Sequence, residues 1–313
     1  MDFGIWIEPE MVNPNADLYK NHPDWIYSSH KRTPETSRGQ LVLNLCKPEV
    51  TEFIHDMIDN LLSENDIDYI KWDVNRPIAE TGGDQSIWYT HIMKVYEIVN
   101  RIKEKYPAVL IEACASGGGR TDFQTLEYFD DFWTSDNTDA LDRLTIQKTY
   151  SYIYPIKAMR AWVTDCPNFL SKRTIPLKFR YHSAMMGTLG IGCNILKFGE
   201  EEKTLSKEMI AQYKDIREIV QNGEFHRLEN NSTNSYEIFQ YNYRDETLLY
   251  LFLPMTKIGH KGVKIKMRNL NPEKIYTYLI ADREFKKSGN YLMNVGIDIK
   301  LEGDYSSIVV KFI

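Results

Sequence analysis

Residues 67–76 read IDYIKWDVNR, and this stretch decides the fold class. Ile67–Trp72 is a short, continuous apolar run, and it gives way at its C-terminal end to Asp73 and Asn75. Continuous rather than alternating hydrophobicity marks a strand buried on both faces, as parallel strands are. Similar runs occur at Phe3–Ile7, Leu41–Leu45, Ala108–Ala113, Phe132–Thr134 and Ala161–Val163, with a further candidate near Gly187–Ile195. Amphipathic helical periods separate them. One opens at Pro48, a favoured first-turn residue, and continues with Val50, Phe53, Ile54, Met57, Ile58, Leu61 and Leu62. Another runs from Ile87 to Tyr106, with Ile92, Val95, Tyr96, Val99 and Ile102 on one face, and stops before Pro107. Strand–helix repetition of this kind predicts an α/β fold: a (β/α)8 barrel or a doubly wound sheet. From about Gly223 the pattern changes to short segments rich in β-branched and aromatic residues: Tyr236–Tyr243, Leu248–Leu253, Gly262–Met267, Lys274–Ile280 and Ser306–Ile313. They predict a small antiparallel β-sandwich, joined to the rest by an amphipathic helix over Glu200–Asn222. The expected domains are 1–222, a barrel, and 223–313, a sandwich. Because Phe3 already begins a core strand, an eight-stranded barrel would lack its opening βα unit, so the barrel is expected to be N-terminally incomplete.

The polar residues gather where the apolar runs end. Phe3–Ile7 leads into Glu8 and Glu10; Ile67–Ile70 into Lys71, Asp73 and Asn75; Val109–Ile111 into Glu112, Cys114 and the run Gly117–Gly119 followed by Arg120. Phe132–Thr134 leads into Ser135 and Asp136, and Trp162–Val163 into Thr164 and Asp165. In βα barrels the active site is assembled at that face from several strands. Each residue also has a plain structural reading. Asp136 is as well placed to cap the next helix as to do chemistry, and Asp139 and Asp142 read as cap or solvated-face residues. Lys71 and Asp73 share one side of a strand and could form a structural ion pair. Pro9 constrains the backbone of Glu8. The glycine run lacks the spacing of a P-loop or a dinucleotide fingerprint, and reads as a tight turn or as backbone approaching a sugar. Trp6, Trp25, Trp72, Trp133 and Trp162 lie on or beside the strand ends; Trp72 and Trp162 are expected in the core. Two carboxylates with Lys, Arg and Trp around them are what glycosidic bond cleavage requires: one to attack the anomeric carbon, one to protonate the leaving oxygen.

Composition bounds the alternatives. The 313 residues are 42% hydrophobic and 26% charged, with 38 Lys and Arg against 44 Asp and Glu, a net charge of −6. No concentrated basic patch points to nucleic acid, and no apolar stretch reaches the roughly 20 residues that span a bilayer. Four scattered cysteines (Cys46, Cys114, Cys166, Cys193) form no zinc or disulfide pattern, which fits a reducing cytoplasm. Asn230 and Asn231 each open an N-x-S/T pattern and read as polar turns.

Longer motifs carry a family resemblance. Phe3–Pro14 (FGIWIEPEMVNP), Asp17–Tyr19, His22–Trp25, Ser37–Leu43 (SRGQLVL), Asp68–Arg76 (DYIKWDVNR), Cys114–Arg120 (CASGGGR) and Trp133–Arg143 (WTSDNTDALDR) resemble glycoside hydrolase family 36 α-galactosidases. The similarity continues through Tyr154-Pro155, Cys166–Asn168 and Arg180–His182 to about residue 200. The resemblance implies a retaining hydrolase acting on terminal α-D-galactosides of the melibiose or raffinose type, with Asp73 as nucleophile and Asp136 as acid/base. It carries galactose-binding positions onto Trp6, Arg38, Lys71, Asn75, Cys114 and Gly117, and calls for no metal or cofactor. The partner it implies is a small-molecule substrate, with homo-oligomerisation open. It also implies carboxyl groups about 5–5.5 Å apart, where about 9 Å would mean inversion. Family members usually carry an N-terminal β-sandwich and an opening barrel strand ahead of the matching motifs, so the resemblance implies that the chain corresponds to the C-terminal part of such an enzyme. Two other readings compete. In one, Glu8, Asp73 and Asp136 hold Mg²⁺ with Lys71 as base; in the other, the chain binds galactosides without turnover.

Overall fold

The computed structural model describes residues 1–29, 32–81, 83–229, 236–259 and 261–313. The Asn230 and Asn231 patterns lie outside the described residues. The chain divides into two compact units, Met1–Asp136 and Asn137–Ile313.

The first unit is built on parallel strands. β1 (Gly4–Ile7) pairs with β4 (Tyr69–Trp72), β4 with β5 (Leu110–Ala113), and β5 with β6 (Asp131–Trp133). Between β1 and β4 come β2 (Met11–Val12), the short helix α1 (Asp17–Asn21), β3 (Leu41–Val42) and α2 (Pro48–Glu64). α3 (Ile87–Lys105) connects β4 to β5, and α4 (Thr125–Tyr128) precedes β6. Pro48 occupies the first turn of α2, which buries Val50, Thr51, Ile54, Ile58 and Leu62 at helical spacing. α3 buries Ile87, His91, Val95, Tyr96, Ile98, Val99 and Ile102. One expected strand is corrected. Leu41–Leu45 is not a parallel core strand: only Leu41–Val42 is extended in a ladder, antiparallel to Met11–Val12. The run is apolar because it is buried beneath a helix start, with Val42 packed against Tyr27 and Ile87. Period alone does not distinguish that from a sheet interior.

The second unit opens with α5 (Ala140–Tyr150), then β7 (Met159–Val163), α6 (Leu177–Ala184) and β8 (Thr188–Ile191), with β7 and β8 parallel. The candidate near Gly187–Ile195 is thus a strand. Trp162, expected in the core, is only half-buried: its ring lies against Gly190, where an added Cβ would come within 2.4 Å of the indole. α7 (Glu200–Asn222) follows, opened by three acidic residues that suit the positive end of the helix dipole. Among the described residues, eight strands follow: β9 (Glu224–Arg227), β10 (Glu237–Tyr243), β11 (Glu246–Leu253), β12 (Val263–Ile265), β13 (Ile275–Ile280), β14 (Arg283–Ser288), β15 (Ile297–Ile299) and β16 (Ser306–Phe312), with a short α8 (Gly289–Asn294) before β15. They form a six-stranded antiparallel sheet in the order β14-β13-β16-β11-β10-β9 and a two-stranded β12-β15 sheet. Residues of both sheets share one apolar core, including Leu249, Leu251, Val263, Ile265, Ile297 and Ile299. Tyr241 and Tyr250 donate their buried hydroxyls to the carbonyls of Met186 and Met185, which ties the sheet to the end of α6.

Candidate active site

All eight residues singled out from the sequence lie in the first unit, Met1–Asp136. The parallel register aligns Trp6 with Lys71 and Lys71 with Glu112. Neighbours in such a row project to the same side, and Lys71 Nζ accordingly reaches Glu112 Oε1 at 2.5 Å while its ammonium sits 4.4 Å from the centre of the Trp133 ring. The Glu112 carboxylate also accepts from the Tyr69 hydroxyl. The ion pair displayed here therefore joins Lys71 to the neighbouring strand.

The ladder extends one residue past the strand ends. Asp73 N–H bonds to Ile7 C=O at 2.9 Å, and Cys114 N–H to Trp72 C=O at 2.8 Å. Asp73 and Cys114 are thus placed by backbone. Asp73 is 7% exposed, and its carboxylate is held from several directions. Its Oδ1 accepts from Val74 N–H at 2.8 Å; its Oδ2 accepts from Trp6 Nε1 at 3.1 Å and Asn75 Nδ2 at 2.9 Å. Burial works against the charged form, but the hydrogen bonds from Asn75, Cys114, Trp6 and Val74 together outweigh it and hold this carboxyl below the usual aspartate range. Asp73 is an anion at neutral pH. For Cys114 the balance runs the other way: burial pushes its thiol up to about 12, so it is present as a neutral donor.

Asn75 is oriented in turn. Its Oδ1 accepts from Arg38 Nη1 at 3.4 Å and Ser116 Oγ at 3.2 Å, which leaves Nδ2 to face Asp73. Arg38 and Ser116 both have positive φ, 54° and 46°, an unusual backbone for non-glycine residues that is often found at functional sites. Gly117 has φ of +91°, and a Cβ there would lie 2.9 Å from Ser135 Cα. Only glycine lets this loop approach the end of β6 so closely. Asp136 stands there, exposed, accepting from Trp133 Nε1 at 2.9 Å. The helix-capping role open to it belongs to Asp139, whose carboxylate accepts from the N–H groups of Leu141 and Asp142. Trp6 is 52% exposed, leaving its ring face accessible beside Asp73.

Two of the three carboxylates proposed for a metal, Glu8 and Asp73, already accept from protein donors. Glu8 accepts from the Asn75 N–H at 2.8 Å and from Gln40, and both Asp73 oxygens carry the donors just described. Among the described residues, the side chains close enough to share one ion are Glu52, His55 and Asp56 on α2, where Arg101 already pairs with Glu52.

Three features escaped the sequence reading. Glu112 was read only as a strand end, not as the partner of Lys71. Ser116 gave no signal, since its strained backbone is invisible in sequence. Glu10 and Arg120 were seen as polar residues near the site, but their contact spans 110 positions.

With this geometry in hand, the comparisons decide the family. A family model described as melibiase matches residues 1–223. The chain belongs to the melibiase family. A second model, the glycosyl hydrolase family 36 C-terminal domain, matches residues 238–312. A probable α-galactosidase C of Aspergillus flavus is 39% identical over 311 residues, covering 98% of this chain and 41% of the relative. The α-galactosidase AgaA of Geobacillus stearothermophilus is 41% identical over 235 residues, 73% of this chain and 32% of the relative. Among solved structures, a variant of that AgaA in complex with raffinose superposes with a TM-score of 0.94 at 33% identity, covering all of this chain and 44% of its own. The fold is that of the family 36 α-galactosidases, a (β/α)-barrel type with a C-terminal antiparallel sandwich. The chain spans from about a third to about two-fifths of the length of the curated relatives that match it nearly end to end.

Proposed function

We propose that the chain carries the catalytic pair of an α-galactosidase, releasing terminal α-D-galactose from melibiose- or raffinose-type galactosides by double displacement. The observation that carries this reading is the Asp73 carboxylate: buried, ionised, held by four donors and flanked by the exposed Trp6 ring. A nucleophile of this kind must be charged and aimed before the sugar arrives. Asp73 attacks the anomeric carbon while Asp136 protonates the departing oxygen; Asp136 then takes a proton from the water that hydrolyses the galactosyl ester. Lys71, fixed by Glu112 and Trp133, and Arg38 supply cationic donors to the sugar hydroxyls, and Trp6 offers an aromatic surface to its apolar face. Cys114 and Gly117 crowd the loop beside the nucleophile, which favours a hydroxyl over an N-acetyl group at the 2-position. Residues 1–222 form the catalytic domain in this reading and 223–313 an accessory sandwich. A cytoplasmic location rests on four cysteines that are all free; no described helix is long and apolar enough to cross a membrane.

The test is hydrolysis of an aryl α-D-galactoside and its 2-acetamido analogue by the purified chain, with Asp73→Ala as control. Turnover of the galactoside that disappears in the variant is expected. Faster cleavage of the acetamido substrate would overturn the specificity, and binding without hydrolysis would leave a galactoside-binding protein.

A further inference from the structure

We propose that Glu10 is a positioning residue that locks the nucleophile strand and the Cys114–Arg120 loop into one arrangement. The proposal rests on the reading of Asp73 as nucleophile. Glu10 is fully buried and is not among the residues proposed to contact galactose. Its carboxylate accepts from Arg120 Nη1 and Nη2 at 2.7 and 2.8 Å, a two-point grip, and from Trp72 Nε1 at 2.7 Å. His91 Nε2, from α3, lies 2.7 Å away, and His91 Nδ1 is 3.1 Å from the Tyr27 hydroxyl. One side chain thus joins four segments: the end of β1, the end of β4, the loop after β5, and α3.

The connections matter because of what adjoins them. Trp72 sits between Lys71 and Asp73 and projects to the opposite side of β4, so fixing its indole fixes the roll of the strand end that aims both neighbours. Arg120 closes the loop that carries Cys114, Ser116 and Gly117. Two residues earlier, Glu8 grips the Asn75 N–H, so the Glu8–Glu10 segment holds both the end of β4 and the loop that follows it. Packing alone does not immobilise this region. Glu10, His91 and Arg120 line a cavity of about 410 Å³ that also reaches Asn75 and Ser116, leaving the loop room to shift once the ion pair is gone. Glu10 stays charged: burial opposes its anion, but the Arg120 guanidinium beside it and the hydrogen bonds it accepts outweigh that.

Removing Glu10 alone strands a buried guanidinium and threatens folding. The informative variant is therefore Glu10→Gln combined with Arg120→Met, which removes both charges, compared with Ile58→Ala, a core substitution in α2 away from the cluster. Both variants lose thermal stability. In Glu10→Gln/Arg120→Met, kcat on an aryl α-D-galactoside falls about 10–100-fold, the usual consequence of an ångström-scale misplacement, with KM changed less than threefold; Ile58→Ala keeps wild-type kcat per folded molecule. A crystal structure of the double variant reads the proposal without activity: the Trp72 ring and the 115–120 loop shift while α2 and the strand starts do not. Wild-type kcat, or an unmoved Trp72 and loop, overturns it. A wild-type chain that binds and hydrolyses no galactoside breaks the functional reading instead, and the displacement in the crystal still decides the positioning role.

Discussion

The ends of β4 and β6 each present an aspartate, and their surroundings differ. Asp73 is buried and accepts from two side-chain N–H groups, a backbone N–H and a thiol; Asp136 is exposed and accepts from Trp133. A nucleophile needs a fixed direction and a permanent charge, which dense hydrogen bonding supplies at the cost of desolvation. A group that gives up and regains a proton in each half-reaction needs access to solvent and substrate, which exposure supplies. The contrast fits the roles proposed for the two residues.

Substitutions test that contrast in order of size. Asp73→Ala loses turnover on the order of 10⁴-fold or more on every galactoside, since no other group can form the intermediate. In kcat/KM, which reports formation of the galactosyl ester, Asp136→Asn loses about 10²–10⁴-fold on sugars with poor leaving groups and much less on activated aryl galactosides, whose departing oxygen needs little protonation. Comparable losses on both substrates would erase the distinction. Gly117→Ala combines a positive-φ residue with a contact on Ser135, so activity falls on the order of 10-fold or more as the loop withdraws from Asp136. The smallest effects come from single donors. Trp6→Phe and Trp133→Phe each keep a ring and remove one N–H, worth about 1 kcal/mol or roughly fivefold. Trp6→Phe shifts the acid limb of the kcat/KM profile to higher pH, because the Asp73 anion loses a donor. Trp133→Phe leaves that limb in place.

The same balance has a sign for stability. The folded-state pKa of Asp73 is depressed, so its contribution is present above the ordinary aspartate value, roughly 3.9, and is lost as pH falls through the folded value. Asn75→Ala should reduce stability at neutral pH and flatten its dependence in the acid range, measurable by urea unfolding as a function of pH.

Much of this was legible in the residues. Phe3–Ile7, Ile67–Trp72 and Ala108–Ala113 read correctly as strands because continuous apolar runs with polar ends have few other uses. Asp73 stood out through its position beside Lys71 on such an end. Leu41–Leu45 misled because a run covered by a helix start has the same composition as a sheet interior. Asp136 could not be separated from a helix cap in sequence, and only the position of Asp139 at the start of α5 resolves that. The orientation of Asn75 and the Glu10–Arg120 contact depend on residues 37–110 positions apart, for which a single sequence gives no signal.

In the proposed mechanism Asp73 attacks and Asp136 assists, and the configuration of the first-formed sugar distinguishes this from direct displacement by water. In ¹H NMR of an α-galactoside during the first minutes of hydrolysis, the account predicts α-galactose appearing first, with the β anomer growing in only by mutarotation, and neither forming with Asp73→Ala. β-Galactose as the initial product would mean a single displacement by water, and Asp73 would not be the nucleophile.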